Sequence, residues 1–181
     1  MKKKLSKKLT LFYTNNFPKK FNNNSSKKHT VTLGIGGNMG NTKQIFDKLI
    51  LCLKNDSRFT LLMTSALLKN PPFGFFEQSD FLNGIISLKT DLCPNDFLKA
   101  MQRYEIKFGR KRSFQDAPRT LDIDIIFFDN KKINKEHLII PHKNWANRES
   151  VIIPLKYIKN NQIGKCRYEK KNFLKVKNEQ K

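Results

Sequence analysis

Apolar and polar positions change their period in a regular order along the first half of the chain. Residues 29–36 read HTVTLGIG, an alternation with β-branched residues that predicts a strand ending in glycines. Residues 42–55 repeat apolar side chains at helical spacing, which predicts an amphipathic helix. Residues 59–68 and 81–88 are again strand-like, and a loop with two adjacent prolines separates them.

The same change of period recurs further along the chain. Pro94 suits the first turn of a second helix, and Gly109 suits its end. Residues 121–128 predict another strand, although two aspartates interrupt its apolar run. Residues 133–140 predict one more strand, and residues 145–155 predict a short helix or turn.

Together these elements follow the order β-α-β-β-α-β, which is the split βαβ pattern. We therefore predict an α+β protein, a ferredoxin-like α/β sandwich with an additional strand or turn element on its C-terminal side. The compact domain is expected at residues 29–158. Residues 1–28 and 159–181 are rich in lysine and asparagine, so we expect a flexible or peripheral N-terminal extension and a basic C-terminal tail.

The formal net charge of +21 at first suggests a nucleic-acid or membrane-surface partner. Its distribution argues against that interpretation. Residues 1–28 carry nine lysines and no acid, and residues 156–181 carry nine basic residues against two acids. The remaining charge of +5 is ordinary for an enzyme that handles polyphosphate.

Cysteine usage and hydropathy indicate a cytoplasmic protein. The three cysteines are far apart and form no zinc-binding or disulfide pattern, so we expect reduced thiols. No apolar run is long enough to cross a membrane, and none follows the basic N-terminus as a secretory signal requires.

The sharpest chemical feature is the run PRTLDIDI. Residues two apart in a strand share one face, so Asp122 and Asp124 present two carboxylates side by side. Mg²⁺ would relieve their repulsion, because it accepts one or two carboxylates together with water and phosphate oxygens. Arg119 precedes them, and a guanidinium suits phosphoryl oxygens. The pattern predicts a magnesium and polyphosphate site, with a polar surface strand as the alternative.

Other segments leave alternatives open. The basic residues 110–112 suit a loop that closes over polyphosphate, or else a solvated or nucleic-acid-binding patch; the aspartate pair favours the loop. His142 contacts phosphate or caps a turn, and Arg148 is undecided. Phe81 stacks on a flat heterocycle or belongs to the core, with Asn83 as an amide partner for such a ligand.

The glycine-rich segment LGIGGNMGN predicts a tight turn in which an Asn or Thr caps the following helix. It lacks the Lys-Ser/Thr of a phosphate-binding loop.

Taken in order, the motifs resemble the hydroxymethyl-dihydropterin pyrophosphokinase family. They are LGIGGNMGN, NPPFG with FLN after it, EIKFGRKR, APRTLDIDIIFFD and IIPHKNWANRESVIIPL. The resemblance covers about residues 29–158. It implies that pyrophosphate moves from ATP to 6-hydroxymethyl-7,8-dihydropterin, giving AMP and the pterin diphosphate in folate biosynthesis, with no protein nucleophile.

The resemblance also implies roles for individual residues. Two Mg²⁺ ions would be held by Asp122 and Asp124, with Asp122 also near the pterin hydroxyl. The implied catalytic residues are Arg110, Arg112, Arg119, Asp122 and Asp124. ATP would contact Gln102, Glu105, Arg112, Arg119, Ile125, His142 and Arg148. The pterin would contact Asn70, Pro71, Phe73, Phe81, Asn83 and Asp122.

This chain departs from the family pattern at two places that bear on the site. Asp116 and Ala117 stand where the family has Trp-Gly before the Pro-Arg pair, and the preceding loop lacks an Arg-Trp pair. Ser150 stands where an aromatic residue usually forms the second face of the pterin pocket, and Trp145 is one candidate to replace it.

Two other functions remain possible from the sequence. One is a ferredoxin-like RNA-binding module, although the predicted strands lack its aromatic pattern. The other is an impaired family member that only binds nucleotide. We expect a monomer whose partners are the two small-molecule substrates, with no membrane and no specific nucleic acid.

Overall fold

The computed structural model describes residues 1–72, 74, 77–110, 117–156 and 158. Within these residues the strands are β1 (Lys2–Lys4), β2 (Thr10–Phe12), β3 (Lys19–Lys20), β4 (His29–Gly37), β5 (Phe59–Thr64), β6 (Leu67–Asn70), β7 (Phe81–Thr90), β8 (Asp122–Phe128), β9 (Ile133–Lys135) and β10 (Leu138–Ile140). The helices are α1 (Thr42–Asn55), α2 (Pro94–Lys107) and α3 (Glu149–Leu155), and a 3₁₀ turn spans Trp145–Asn147. The α+β class predicted from the sequence is confirmed.

The described residues form one large antiparallel sheet and a small hairpin. The main path of the sheet runs β1-β2-β6-β7-β4-β8, and β5 pairs with both β3 and β7. β9 and β10 pair only with each other. The single strand predicted over residues 133–140 is therefore two, because the chain reverses between them.

Helices α1 and α2 cover one face of this sheet. Their apolar sides pack with Leu33 and Ile35 of β4 and with Ile123 of β8 in the main core. The opposite face carries a second, smaller apolar cluster in which Val151 and Leu155 of α3 take part. Only part of that face is covered, which leaves room for a site.

The local signals in the sequence explain where the helices begin and end. The Asn41 side chain caps α1 by accepting from the backbone N–H of Gln44, at 3.2 Å. Pro94 occupies the first turn of α2, where no intrahelical hydrogen bond requires the N–H that proline lacks. Gly109 follows α2 with a φ of 80°, a conformation that favours glycine.

The strand predicted over residues 59–68 is interrupted. Between β5 and β6, the Ser65 hydroxyl accepts from the N–H of Ile85 and donates to the carbonyl of Ala66. A buried side chain thus takes over ladder hydrogen bonds at this point, so that β5 and β6 pair with different stretches of β7.

The N-terminal residues add strands at the edge of the sheet. β2 pairs with β6, with Leu11 opposite Leu68, and β3 pairs with β5. Leu11 and Phe17 have no exposed surface. These two apolar residues bury themselves at the sheet although lysines surround them, while the domain boundary at residue 28 stays a prediction.

None of the described helices is long and apolar enough to span a lipid bilayer.

Candidate active site

Asp122 and Asp124 lie on the face of the sheet that α1 and α2 leave open. Ile123 and Ile125 alternate with them and pack into the main core. In the sheet register, Asp122 lies beside Gly36, and Asp124 lies beside Gly34. The two carboxylates therefore share one face, as their spacing predicts.

Glycines of β4 allow other groups to approach this face closely. A Cβ atom on Gly36 would lie 2.8 Å from the Asn83 side-chain oxygen on the neighbouring strand. A Cβ atom on Gly37 would lie 2.5 Å from the carbonyl oxygen of Thr120. Both contacts are too short for any larger residue, so these glycines let Asn83 and the segment before β8 reach the site.

Asn38 positions the segment that carries Arg119. Its side-chain oxygen accepts from the Arg119 N–H at 2.9 Å, and its own N–H donates to the Arg119 carbonyl at 2.9 Å. Its amide nitrogen donates to Gln78 and to the Ser79 carbonyl. This role of Asn38 could not be predicted from the sequence, because a turn-forming Asn gives no signal of a contact 81 positions away.

Asp122 is paired with two arginines. Arg110 Nη1 lies 2.7 Å from one carboxylate oxygen, and Arg119 Nε lies 3.2 Å from the other. Arg110 also forms an ion pair with Glu105. The carboxylate for which the sequence predicts a metal ion is therefore already paired with two arginines.

Glu105 is a buried carboxyl behind this pair. It accepts from the backbone N–H of Ile123 at 2.8 Å. Burial raises the pKa of Glu105 to about 7, although the hydrogen bond from Ile123 and the charge of Arg110 oppose the increase. The Glu105 carboxyl is therefore fixed in position by its hydrogen bond to Ile123, and burial makes its ionised form energetically unfavourable.

Asp124 has less cationic support than Asp122. His142 Nε2 lies 3.8 Å from its carboxylate, beyond hydrogen-bonding distance. Removal from bulk water and the neighbouring charge of Asp122 raise the pKa of Asp124, while His142, Arg148 and Arg119 act in the opposite direction. A further cation at this carboxylate would relieve both destabilising effects.

Two side-chain amides connect β7 to the proline loop. The Asn83 amide nitrogen donates to the Asn70 side-chain oxygen at 2.7 Å, and Asn70 donates to the Pro71 carbonyl at 2.8 Å. The Arg119 guanidinium lies 5.3 Å from the centre of the Phe81 ring. The two side-chain amides and the aromatic face of Phe81 thus lie together at the proline-loop end of the site.

These groups open into one cavity of about 870 Å³. Of the residues singled out from the sequence, it is lined by Asn70, Pro71, Phe81, Asn83, Arg119, Asp122, Asp124 and Arg148. The remaining lining comes from Gly34–Gly36, from Pro72, from residues 147 and 149–151, and from residues 6–9 near the N-terminus. No sequence signal pointed to residues 6–9, since their role depends on long-range strand pairing.

The other sequence-predicted residues do not line the cavity. Arg110, Glu105 and His142 act at its border through the contacts above, and Gln102 is half-buried on α2. The Ile125 side chain packs in the main core, away from the open face. Phe73 and Arg112 lie outside the described residues.

Trp145 does not replace the missing aromatic face. Its ring packs edge-on against Phe127, with the ring centres 4.8 Å apart, in the smaller apolar cluster. It is not among the residues that line the cavity.

Comparisons with known proteins agree with the motifs. The family model for 7,8-dihydro-6-hydroxymethylpterin-pyrophosphokinase matches residues 32–160. A 2-amino-4-hydroxy-6-hydroxymethyldihydropteridine pyrophosphokinase of Campylobacter jejuni is 42% identical over 139 residues, which cover 77% of this chain and 88% of the relative. Proteins with the same name from Helicobacter pylori and Bacillus subtilis are 40% and 32% identical, over 77% and 68% of this chain and 86% and 74% of their own lengths. The chain therefore belongs to the 7,8-dihydro-6-hydroxymethylpterin-pyrophosphokinase family.

Proposed function

We propose that this chain transfers pyrophosphate from ATP to 6-hydroxymethyl-7,8-dihydropterin in a Mg²⁺-dependent reaction of folate biosynthesis, giving AMP and the pterin diphosphate. The observation that carries the proposal is one cavity that combines paired aspartates, arginines and an aromatic face with amides. Family membership supports the same conclusion independently.

The aspartate pair fits Mg²⁺. The described residues contain no group of three or more His, Cys, Asp or Glu side chains arranged around one metal position. Two carboxylates with open space beside them suit Mg²⁺, which takes its other ligands from water and phosphate. The raised pKa of Asp124 and the small glycine floor beside both aspartates agree with this assignment. Asp122 and Asp124 would hold the metal, and two ions remain the number expected from the family resemblance.

The metal, when bound, would supply positive charge to the ATP phosphates. Among the chain's own groups, Arg119 and Arg148 line the cavity and suit phosphoryl oxygens. Arg110 reaches the same carboxylate as Arg119, and His142 lies near Asp124. To contact phosphate, Arg110 and Arg119 must exchange the Asp122 carboxylate for the substrate.

The heterocycle end suits a pterin. Asn83 and Asn70 offer amide groups in a fixed relative orientation, which matches the edge of a flat ring with donors and acceptors. Phe81 offers a ring face over which the Arg119 guanidinium now lies. We infer that the heterocycle displaces Arg119 from this face as it binds.

Catalysis in this arrangement depends on alignment and on charge. The cavity holds both substrates so that the pterin hydroxyl attacks the β-phosphorus of ATP and AMP leaves. The arginines stabilise the charge that spreads over the phosphoryl oxygens in the transition state. No side chain of the chain needs to form a covalent intermediate.

AMP release from ATP and Mg²⁺, with and without the pterin, tests the proposal. We expect AMP only when the pterin is present, and its loss in Asp124→Ala. A folded protein that binds ATP but forms no AMP with the pterin would contradict the activity and support the nucleotide-binding alternative. RNA binding without pterin binding would support the RNA-binding alternative.

The strand order through β6, β7, β4 and β8 is compatible with a ferredoxin-like sandwich extended at its N-terminal edge. We further propose a monomer in the cytoplasm, with residues 29–158 as the catalytic domain and residues 159–181 as a basic tail.

A further inference from the structure

The N-terminal turn, residues 5–9, connects β1 and β2 and reaches the cavity. Ser6, Lys7, Lys8 and Leu9 are among the lining residues. β2 runs beside β6 with Thr10 opposite Lys69, so the turn continues towards the proline loop that follows Asn70. Nothing in the proposed reaction assigns a role to this turn.

The turn is held in a defined shape. The Ser6 hydroxyl oxygen accepts from the N–H groups of Lys8 and Leu9, at 3.2 and 3.1 Å. The Leu9 carbonyl accepts from the N–H groups of Leu5 and Ser6, at 2.9 and 3.2 Å. Such local hydrogen bonds fix the backbone of a short turn before any ligand arrives.

The turn is also anchored by apolar packing against the sheet. Leu9 packs against a small buried cluster of Leu11, Ala66 and Leu68, to which Ile153 of α3 also contributes. The position of the turn is therefore set by β2, β6 and α3 together. Because β6 and α3 contribute Asn70 and residues 149–151 to the lining of the cavity, the turn continues the wall on that side.

The spacing between strands shows which end of the cavity lies nearer to the turn. Leu11, Leu68, Asn83, Gly36 and Asp122 lie in one row across the sheet. Neighbouring strands are about 4.8 Å apart, so β2 lies about 10 Å from Asn83 and about 19 Å from Asp122. The turn therefore lies nearer to the amide and Phe81 end than to the aspartates.

We propose that the N-terminal turn is part of the binding site for the flat heterocycle of the pterin substrate. Leu9 contacts the ring, and the ammonium groups of Lys7 and Lys8 donate hydrogen bonds to its oxygen and nitrogen acceptors. The chemistry fits, because Phe81 is the only aromatic residue among the described lining residues and a flat ring needs a second apolar contact. This inference rests on the proposed function.

The full chain carrying Lys7→Ala and Lys8→Ala tests the inference against a matched control, Lys2→Ala with Lys3→Ala. Both double variants remove two charges from the same hairpin, but Lys2 and Lys3 lie on β1 and do not line the cavity. The Kd of the pterin is measured by calorimetry with Mg²⁺ and a non-hydrolysable ATP analogue. We expect a Kd about tenfold higher for the first variant and an unchanged Kd for the control.

A second pair tests the apolar contact. Leu9→Ala and Tyr13→Ala both remove a side chain that packs on the same small cluster, but only Leu9 lines the cavity. We expect both variants to lose thermal stability, while only Leu9→Ala raises the KM for the pterin. The KM for ATP should stay within twofold of the wild type in each.

The outcomes separate the inference from the proposed function. Wild-type protein that binds no pterin would overturn both. Wild type that binds pterin, with equal Kd values in the two lysine variants, would overturn the inference alone. A raised KM for ATP with an unchanged pterin Kd would also overturn it, because the lysines would then serve the phosphates.

Discussion

Two clusters of charged residues contact helix α2 at neighbouring residues, Tyr104 and Glu105. They differ in the ratio of carboxylates to hydrogen-bond donors. Tyr104 donates to Asp56 at 2.8 Å, and Arg58 contacts the same carboxylate through Nε at 2.9 Å and Nη2 at 2.6 Å. Glu105, the next residue, belongs instead to the cavity cluster with Arg110. The first cluster has a single carboxylate, Asp56, and two side chains that donate to it, Arg58 and Tyr104.

The pKa values follow this difference. Hydrogen bonds from Arg58 are the largest influence on Asp56, and the pKa of that carboxyl falls to about 2. In the cavity, burial raises the pKa of Glu105 to about 7 and also raises the pKa of Asp124. A carboxylate with a lowered pKa stabilises the fold, whereas carboxylates with raised pKa values are suited to receive a cation.

The largest effect is expected from Asp124→Asn. Activity should fall on the order of 10³-fold, since one of the two carboxylates that we propose as Mg²⁺ ligands is lost. Thermal stability without ligands should stay the same or increase, because the substitution removes repulsion from Asp122. AMP formation and thermal denaturation are the measurements. A large loss of stability would instead place Asp124 among the structural residues.

Mg²⁺ should stabilise the wild type selectively. With a non-hydrolysable ATP analogue present, Mg²⁺ at one hundred times its Kd adds about 2.7 kcal/mol to the free energy of unfolding. Asp122→Asn should lose most of this gain, while Asp56→Asn should retain it. Thermal denaturation with and without Mg²⁺ measures the difference. Equal gains in both variants would show that the metal binds elsewhere.

Asp56→Asn should reduce stability and leave catalysis unchanged. The expected loss is about 1 kcal/mol at pH 7, since the ion pair with Arg58 is partly exposed. Because the folded pKa lies below the ordinary value of 3.8, the contribution is complete above about pH 4. It is lost as the pH falls through the folded pKa of about 2. Urea unfolding at several pH values tests this; a difference as large at pH 2 as at pH 7 would contradict it.

The smallest effect is expected from Glu105→Gln. The amide oxygen can still accept from Ile123, so we expect kcat to fall only about threefold at pH 8.5, as one charge that orients Arg110 is lost. Below pH 7 the wild-type carboxyl is itself mostly protonated, and the two proteins should behave alike. A pH profile of kcat measures this. A constant ratio from pH 6 to 9 would contradict the raised pKa.

Local patterns predicted much of the fold. Residues 42–55 were predicted as a helix from their apolar spacing, and α1 has the same bounds. Pro94 and Gly109 marked the ends of α2 because their backbone preferences act within one turn. The interruption at Ser65 gave no such signal, since its hydroxyl bonds to Ile85, 20 residues away.

The site was predictable in part for the same reason. The spacing of Asp122 and Asp124 places them on one face of any strand, whatever surrounds it. Which cations pair with Asp122 depends on how α2 and the Arg119 segment approach β8. The turn at residues 5–9 was missed because lysines dominate the composition around it, whereas packing of Leu9 on the buried cluster of Leu11 and Leu68 decides its position.

The sequence alone determined the main helices and strands between residues 29 and 128, except for the break at Ser65, as well as the carboxylate pair and the family, because each of these is encoded in short runs of residues. Only the tertiary structure decided that the N-terminal hairpin extends the sheet to the cavity, that Asn38 holds Arg119, and that Tyr104 and Glu105 serve opposite purposes. These contacts join residues far apart in the chain, and they form only when distant strands pair and bury a common core.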